Sequence, residues 1–217
     1  MAVRQVLAEL TAAYAARSGV AVAVESVGGV DAARRVQAGE RCDFVVLAAD
    51  AIDQLVAAGH LAAGSRVDLV RSPVAVAVRA GAPRPDIATE DAVRRAVLAA
   101  RSLCCSTGPS GTHLRQVFER WGVAAQLQGR LVQAPPGVPV GTLVARGEVE
   151  LGFQQLSELI HLDGIDVLGT LPPAIETITV FAAGVPPQAD PAVHALLAFL
   201  NSPPAAEVKR RHGLTPA

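Results

Sequence analysis

The apolar positions of this chain follow two periods, one of three to four residues and one of two. Val3, Val6, Leu7, Leu10 and Tyr14 lie on one face of a helix expected over residues 3–18, which Gly19 stops. Val20-Ala21-Val22-Ala23-Val24-Glu25-Ser26 is β-branched and predicts a strand. Val27-Gly28-Gly29-Val30 predicts a turn, and Asp31 is placed to cap a helix from Ala32 to Ala38. A second buried strand is expected over residues 42–48, then a helix over residues 52–58 that ends at Gly59. Strands alternating with helices predict a sheet with helices on its faces.

A long β-branched stretch follows at residues 67–79, broken at Ser72-Pro73, where proline marks an edge, a bulge or a crossing point. Ala82-Pro83-Arg84-Pro85-Asp86 predicts a loop, and a helix is expected over residues 90–100. Beyond it the pattern predicts strands at 131–134, 150–155, 165–168 and 177–183, with a stiff turn at Pro135-Pro136-Gly137. Helices are expected at 140–146, 191–200 and 205–211. The two long β-branched stretches look suited to crossing between two α/β lobes. The first lobe would comprise residues 1–72 and 178–217, the second residues 73–177, with a ligand cleft between them.

Composition narrows the class. Hydrophobic residues make up 51% of the 217 and aromatics only 3%, which suits small-residue helix–sheet packing and excludes disorder. A formal net charge of -1 without charge blocks argues against a nucleic-acid surface. No apolar run reaches the ~20 residues needed to cross a bilayer, so no direct membrane insertion is expected. Cys42, Cys104 and Cys105 form neither a disulfide framework nor a zinc-like spacing. No metal is expected. The glycine-rich turns match no dinucleotide or P-loop fingerprint, so no cofactor is implied. Without a signal-peptide core the sequence as written reads as cytoplasmic.

The stretch with the most chemistry is Ser106-Thr107-Gly108-Pro109-Ser110-Gly111-Thr112-His113, where a strand hands over to a helix. The first N–H groups of a helix lack internal partners and carry partial positive charge. With the hydroxyls of Ser106, Thr107, Ser110 and Thr112 they would form an anion cradle. The plainer reading is an ordinary N-cap with proline near the first helical position.

The order of these motifs resembles the molybdate-type extracellular solute-binding proteins, which have the type II periplasmic binding-protein fold. Gly28–Asp31 followed by Val36–Asp50 looks like that family's first turn, helix and strand. Ser106–Gly111 sits where the family has its ligand-facing turn, and Val140–Phe153 and Phe199–Leu214 resemble its later elements. The resemblance implies two lobes, each a mixed sheet flanked by helices, closing on a small oxyanion held by neutral hydroxyls and backbone N–H groups. Carried onto this sequence, it points to Gly28 and Gly29, to Thr107, Gly108, Ser110 and Gly111, and to Val140 and Gln155. Ser106 and Ser26 join them as nearby hydroxyls. It also implies an ABC-transporter membrane component as partner.

Three departures matter. Gly28 stands where the family usually has serine, and Gln155 falls near its binding tyrosine; both favour a larger, partly organic anion. The family also begins with a strand, whereas this chain starts inside the first helix. Either a start upstream supplies that strand and an export signal, placing the protein in the periplasm, or the lobe lacks a strand and exposes apolar edges.

Two functions from different classes remain. One is a solute-binding protein for a small oxyanion or carboxylate. The other is an isomerase for a small unsaturated carboxylic acid, since some relatives that the fold resembles look adapted to isomerise acids such as aconitate. Such an enzyme needs a base near an acidic C–H and donors for the enolate. His113 is the candidate base, with Ser110 beside it, while Glu25 and Arg71 read as surface charges.

Overall fold

The structure, a computed structural model, describes residues 2–135 and 137–217. The chain divides into two compact units, Met1–Ser72 with Thr179–Ala217, and Pro73–Ile178.

In the first unit, helix α1 (Arg4–Ser18) ends at Gly19, whose φ of +74° is the left-handed conformation that closes the helix. Helices α2 (Gly29–Gln37) and α3 (Ala49–Ala57) flank strand β1 (Val45–Ala48). β1 pairs antiparallel with β7 (Ile178–Gly184), Leu47 opposite Ala182. The first part of β2 (Val67–Arg79) pairs with the short β8 (Thr215–Pro216). Leu7 and Leu10 of α1 pack with Leu196 and Leu200 of α8 (Ala192–Leu200), and Ala205 of α9 (Pro203–Arg211) closes this core. A second core gathers Leu47, Ile52, Leu55, Leu61 and Ala182.

The strand expected over residues 20–26 does not form. Its β-branched residues satisfy the local preference for extension, but a strand exists only where a neighbour accepts its hydrogen bonds. Here Val20 and Val24 stay exposed and only Val22 packs against the core. Asp31 is not the cap of the following helix. The helix starts two residues earlier, with Gly28 as its N-cap, and Asp31 lies in the first turn facing Arg34 at 3.4 Å.

In the second unit, strands β3 (Leu103–Cys105), β4 (Leu131–Gln133) and β5 (Leu151–Gln155) run parallel with β3 central. β5 then pairs antiparallel with the second part of β2, Val74 opposite Gln155, and β2 also pairs with β6 (Ile165–Thr170). At Ser72-Pro73, read from the sequence as an edge, a bulge or a crossing point, β2 continues as one 13-residue strand but passes from one compact unit to the other. Those two residues fall between the β8 pairing and the β5 pairing, so the N–H that proline lacks interrupts neither ladder.

Alternation along β2 sorts the layers of this unit. Val74, Val76 and Val78 join the core under α4 (Glu90–Ala99) and α5 (Pro109–Arg120), while Ala75 and Ala77 face Leu159 of α7 (Leu156–Leu159). Cys105 belongs to the first of these cores, Cys104 to the opposite face with Val140 and Val144 of α6 (Val140–Ala145). A one-turn 3-10 helix at Ala124–Leu127 links α5 to β4. The turn expected at Pro135-Pro136-Gly137 includes Pro136, which lies outside the described residues.

α6 presses closely onto β5. A Cβ on Gly152 would lie 2.5 Å from Val144 Cγ2 and 3.0 Å from Val140 Cγ1. Gly152→Ala is therefore expected to cost about 1–3 kcal/mol of stability through overpacking, read by urea denaturation.

Candidate functional site

Each parallel strand of the second unit hands over to a helix at its carboxyl end. β3 leads into α5, β4 into α6 and β5 into α7. The carboxyl ends of parallel strands are where α/β proteins place ligands, because the helices that follow point their unsatisfied N–H groups there.

The β3–α5 turn is the most structured part of this edge. Pro109 occupies the first turn of α5 and Gly108 is the N-cap, with no side chain capping the helix. Proline has no N–H, and Thr112 N donates to Gly108 O at 3.1 Å. The N–H groups of Ser110 and Gly111 lie in the first turn, where a helix offers its N–H groups no carbonyl of its own. Ser106 Oγ sits 2.8 Å from Ser110 Oγ and accepts from Gly108 N at 3.3 Å. Ser110 is 2% exposed, so its hydroxyl is a desolvated donor or acceptor. Helix and strand meet closely here: a Cβ on Gly111 would fall 1.8 Å from Ser106 O. Proline stands in the first turn as the plainer capping reading expects, no side chain caps the helix, and a hydroxyl pair lies beside its first N–H groups.

The other expected residues divide between the units. Ser106, Thr107, Gly108, Ser110 and Gly111 come together in this turn, with Thr107 exposed. Gln155 is buried at the end of β5, the strand beside β3. Val140 starts α6, but its side chain is fully buried in apolar core, so only its backbone faces this edge. Ser26, Gly28 and Gly29 belong to the first unit, where Gly28 O accepts from Ala32 N at 2.9 Å. Glu25 is held by Arg35 through contacts of 2.7 Å from both Nη atoms, an exposed ion pair, and Arg71 is exposed.

His113 is half-buried one turn into α5, and its Nε2 lies 3.0 Å from Ile175 O. A carbonyl only accepts, so Nε2 carries the proton and donates it to this backbone contact. Burial pushes the Cys104 thiol up to about 11 and raises that of Cys105, so neither is a ready nucleophile. Among the described residues no group of three or more His, Cys, Asp or Glu is arranged to hold a metal ion.

Two residues that the sequence pattern did not single out complete the edge. Gln154 is 3% exposed, and its Oε1 accepts from Gly141 N at 3.2 Å, at the start of α6. Its Nε2 donates to Glu158 Oε2 at 2.7 Å. Burial pushes the Glu158 carboxyl above its ordinary range, while the Gln154 hydrogen bond pulls the other way. Their i, i+4 spacing was the signal available, but it straddles a strand–helix junction that only the fold defines.

Comparison with known proteins agrees with this architecture. The chain is 38% identical over 216 residues to an aconitate isomerase from Pseudomonas sp, covering 96% of this chain and 82% of that protein. It superimposes on the periplasmic molybdate-binding protein of Azotobacter vinelandii with a TM-score of 0.79 at 22% identity, covering 98% of this chain and 95% of that one. The tungstate-binding protein TupA of Desulfovibrio alaskensis aligns with a TM-score of 0.68 at 14% identity, covering 97% and 92%. These likenesses identify the type II periplasmic binding-protein fold. The family model for bacterial extracellular solute-binding proteins matches residues 1–215, and the chain belongs to that family.

Proposed function

We propose that the Ser106–Gly111 turn binds a small anion and that the protein serves as the solute-binding component of a transport system, delivering its ligand to a membrane component. The observation that carries this reading is the Ser106–Ser110 hydroxyl pair, with Ser110 buried, beside the first-turn N–H groups of Ser110 and Gly111. These donors are neutral and fixed before a ligand arrives, so they hold an anion at little reorganisation cost. Gly28 and Gln155, in place of the serine and tyrosine that the family resemblance implies, favour an anion with carbon-bound carboxylates.

A second reading has its own support. The relative at 38% identity carries the name aconitate isomerase, and the molybdate-binding neighbour is only 22% identical. In this reading the bound anion is an unsaturated tricarboxylate, and the turn stabilises the enolate formed on proton removal.

A thermal-shift series with molybdate, tungstate, phosphate, cis-aconitate and trans-aconitate tests the proposal. A ligand at about 100 times its dissociation constant adds about 2.7 kcal/mol, a rise of several degrees. A rise with at least one of these anions is expected, and none with any of them contradicts anion binding. Ser110→Ala should weaken the stabilising anion about ten- to hundredfold by calorimetry, because it removes a buried partner worth about 1–3 kcal/mol. Unchanged affinity would place the ligand elsewhere.

A further inference from the structure

We propose that Glu158 is the proton-transfer residue of this site, moving a proton between two carbons of an unsaturated tricarboxylate. The proposal rests on the isomerase reading and supplies the group which that reading lacks.

The register places Glu158 beside the anion turn. Cys105 pairs with Phe153 across parallel strands, so Ser106 and Gln154, each the next residue, lie side by side. Side chains alternate along strands, so Gln154 continues on the α6 side where Gly152 lies, while Ser106, just past the end of β3, turns its hydroxyl to Ser110 of α5. From there Gln154 reaches Gly141 N at 3.2 Å with one end of its amide and Glu158 Oε2 at 2.7 Å with the other. The Gln154 contact engages Oε2 of this half-buried carboxyl, and a substrate would meet its other oxygen, Oε1. Ser157 Oγ, buried in the same turn, has no hydrogen-bond partner among the described residues. A buried hydroxyl in that condition marks a place where a polar group is accommodated.

Three other titratable groups of the second unit are held by contacts of their own. His113 gives its Nε2 proton to Ile175 O. Glu150 lies at the opposite end of β5 against Arg101, and Glu90 is tied to Arg120 and Trp121. Burial raises the affinity of the Glu158 carboxyl for a proton, which makes it a stronger base than an exposed glutamate.

The chemistry balances without a co-reactant. Glu158 Oε1 takes a proton from the substrate's methylene carbon, and that C–H pair becomes a new C=C bond to the central carbon. The old C=C pair moves onto the far carbon and its carboxylate, where the Ser110 and Gly111 N–H groups stabilise the charge. The geometry of the new double bond is set by the rotamer about the methylene–central bond at deprotonation, and the protonated Glu158, in exchange with water, then delivers a proton to the far carbon. The double bond has moved, its geometry has changed, and the carboxylate is restored.

The test follows cis-aconitate in D2O by proton NMR with the full chain and with Glu158→Gln. Glutamine keeps an oxygen to accept from Gln154 but cannot take up a proton. The wild type is expected to form trans-aconitate and to exchange methylene protons for deuterium. Glu158→Gln should lose about 10²- to 10⁴-fold in kcat, with KM and the thermal shift on cis-aconitate nearly unchanged. Glu158→Asp, which restores a base on a shorter arm, should recover part of the loss. A Glu158→Gln variant turning over within tenfold of an active wild type overturns the assignment and leaves the isomerase reading standing. A wild type that neither isomerises nor exchanges overturns both.

Discussion

Gly111→Ala is expected to lose anion binding altogether and at least about 3 kcal/mol of stability. The new methyl would sit 1.8 Å from Ser106 O and 2.8 Å from Ser106 C, both backbone atoms. No rotamer change relieves a clash with backbone. Either α5 moves off β3 or the Ser106 peptide turns, and either motion separates Ser106 Oγ from Ser110 Oγ. The core beneath would open as well, because Leu114 and Phe118 of the same helix pack fully buried against β3 and β5. Urea denaturation with and without the stabilising anion separates the two losses. A variant that keeps wild-type stability and affinity would mean that helix and strand are not in contact here.

The second large effect is electrostatic and concerns the first unit. Lys209 is the only lysine in the sequence, and it is 2% exposed on α9. Its Nζ donates to Leu69 O at 2.7 Å and to Asn201 Oδ1 at 2.9 Å, with no carboxylate in ion-pair contact among the described residues. Burial among apolar side chains depresses its pKa from 10.5 to about 8. The folded state therefore releases this proton near pH 8, while the unfolded chain holds it to about 10.5. Within that window the unfolded state binds more protons, so stability rises with pH. Below pH 8 the full desolvation cost is present, on the order of 3 kcal/mol at about 1.36 kcal/mol per pH unit.

The cysteine thiols, raised by burial, act oppositely at high pH, so the quantity to measure is the difference between wild type and Lys209→Met. That difference should move by about 3 kcal/mol in favour of the wild type between pH 7.5 and 10.5. A flat difference would contradict it. As the only lysine, Lys209 also gives a single side-chain Cε signal in a lysine-labelled sample, and its midpoint should fall near 8.

Much of this architecture was legible because local rules and tertiary context agree. Helix α1 carries its apolar residues at helical spacing and ends at a glycine with φ of +74°. The Ser106–Gly111 turn announced itself by composition, since hydroxyls, glycines and a proline gather between a strand and a helix. The sequence could not show which N–H groups remain unsatisfied or that Ser106 and Ser110 would pair. Those facts depend on how closely α5 approaches β3.

Where the reading failed, the missing information was a partner. Val20 to Val24 has the composition of a strand, but a pleated surface needs a neighbour, and none pairs with it among the described residues. Val140, which the resemblance points to, keeps its side chain in the apolar core against Gly152 and has its backbone for any contact at the edge. Gln154 and Glu158 escaped notice because neither belongs to a recognisable motif. Their link becomes visible once β5 is seen to end at Gln155 and α7 to begin at Leu156.

Receipt of the anion by the first turn of α5 is tested most directly by an amide titration. A uniformly 15N-labelled chain would be titrated with whichever of cis-aconitate or molybdate stabilises it more. The Ser110 and Gly111 N–H signals should shift downfield in step with saturation, because each gains a charged acceptor in place of water. Saturation that leaves those two signals unmoved, while others shift, would contradict the account.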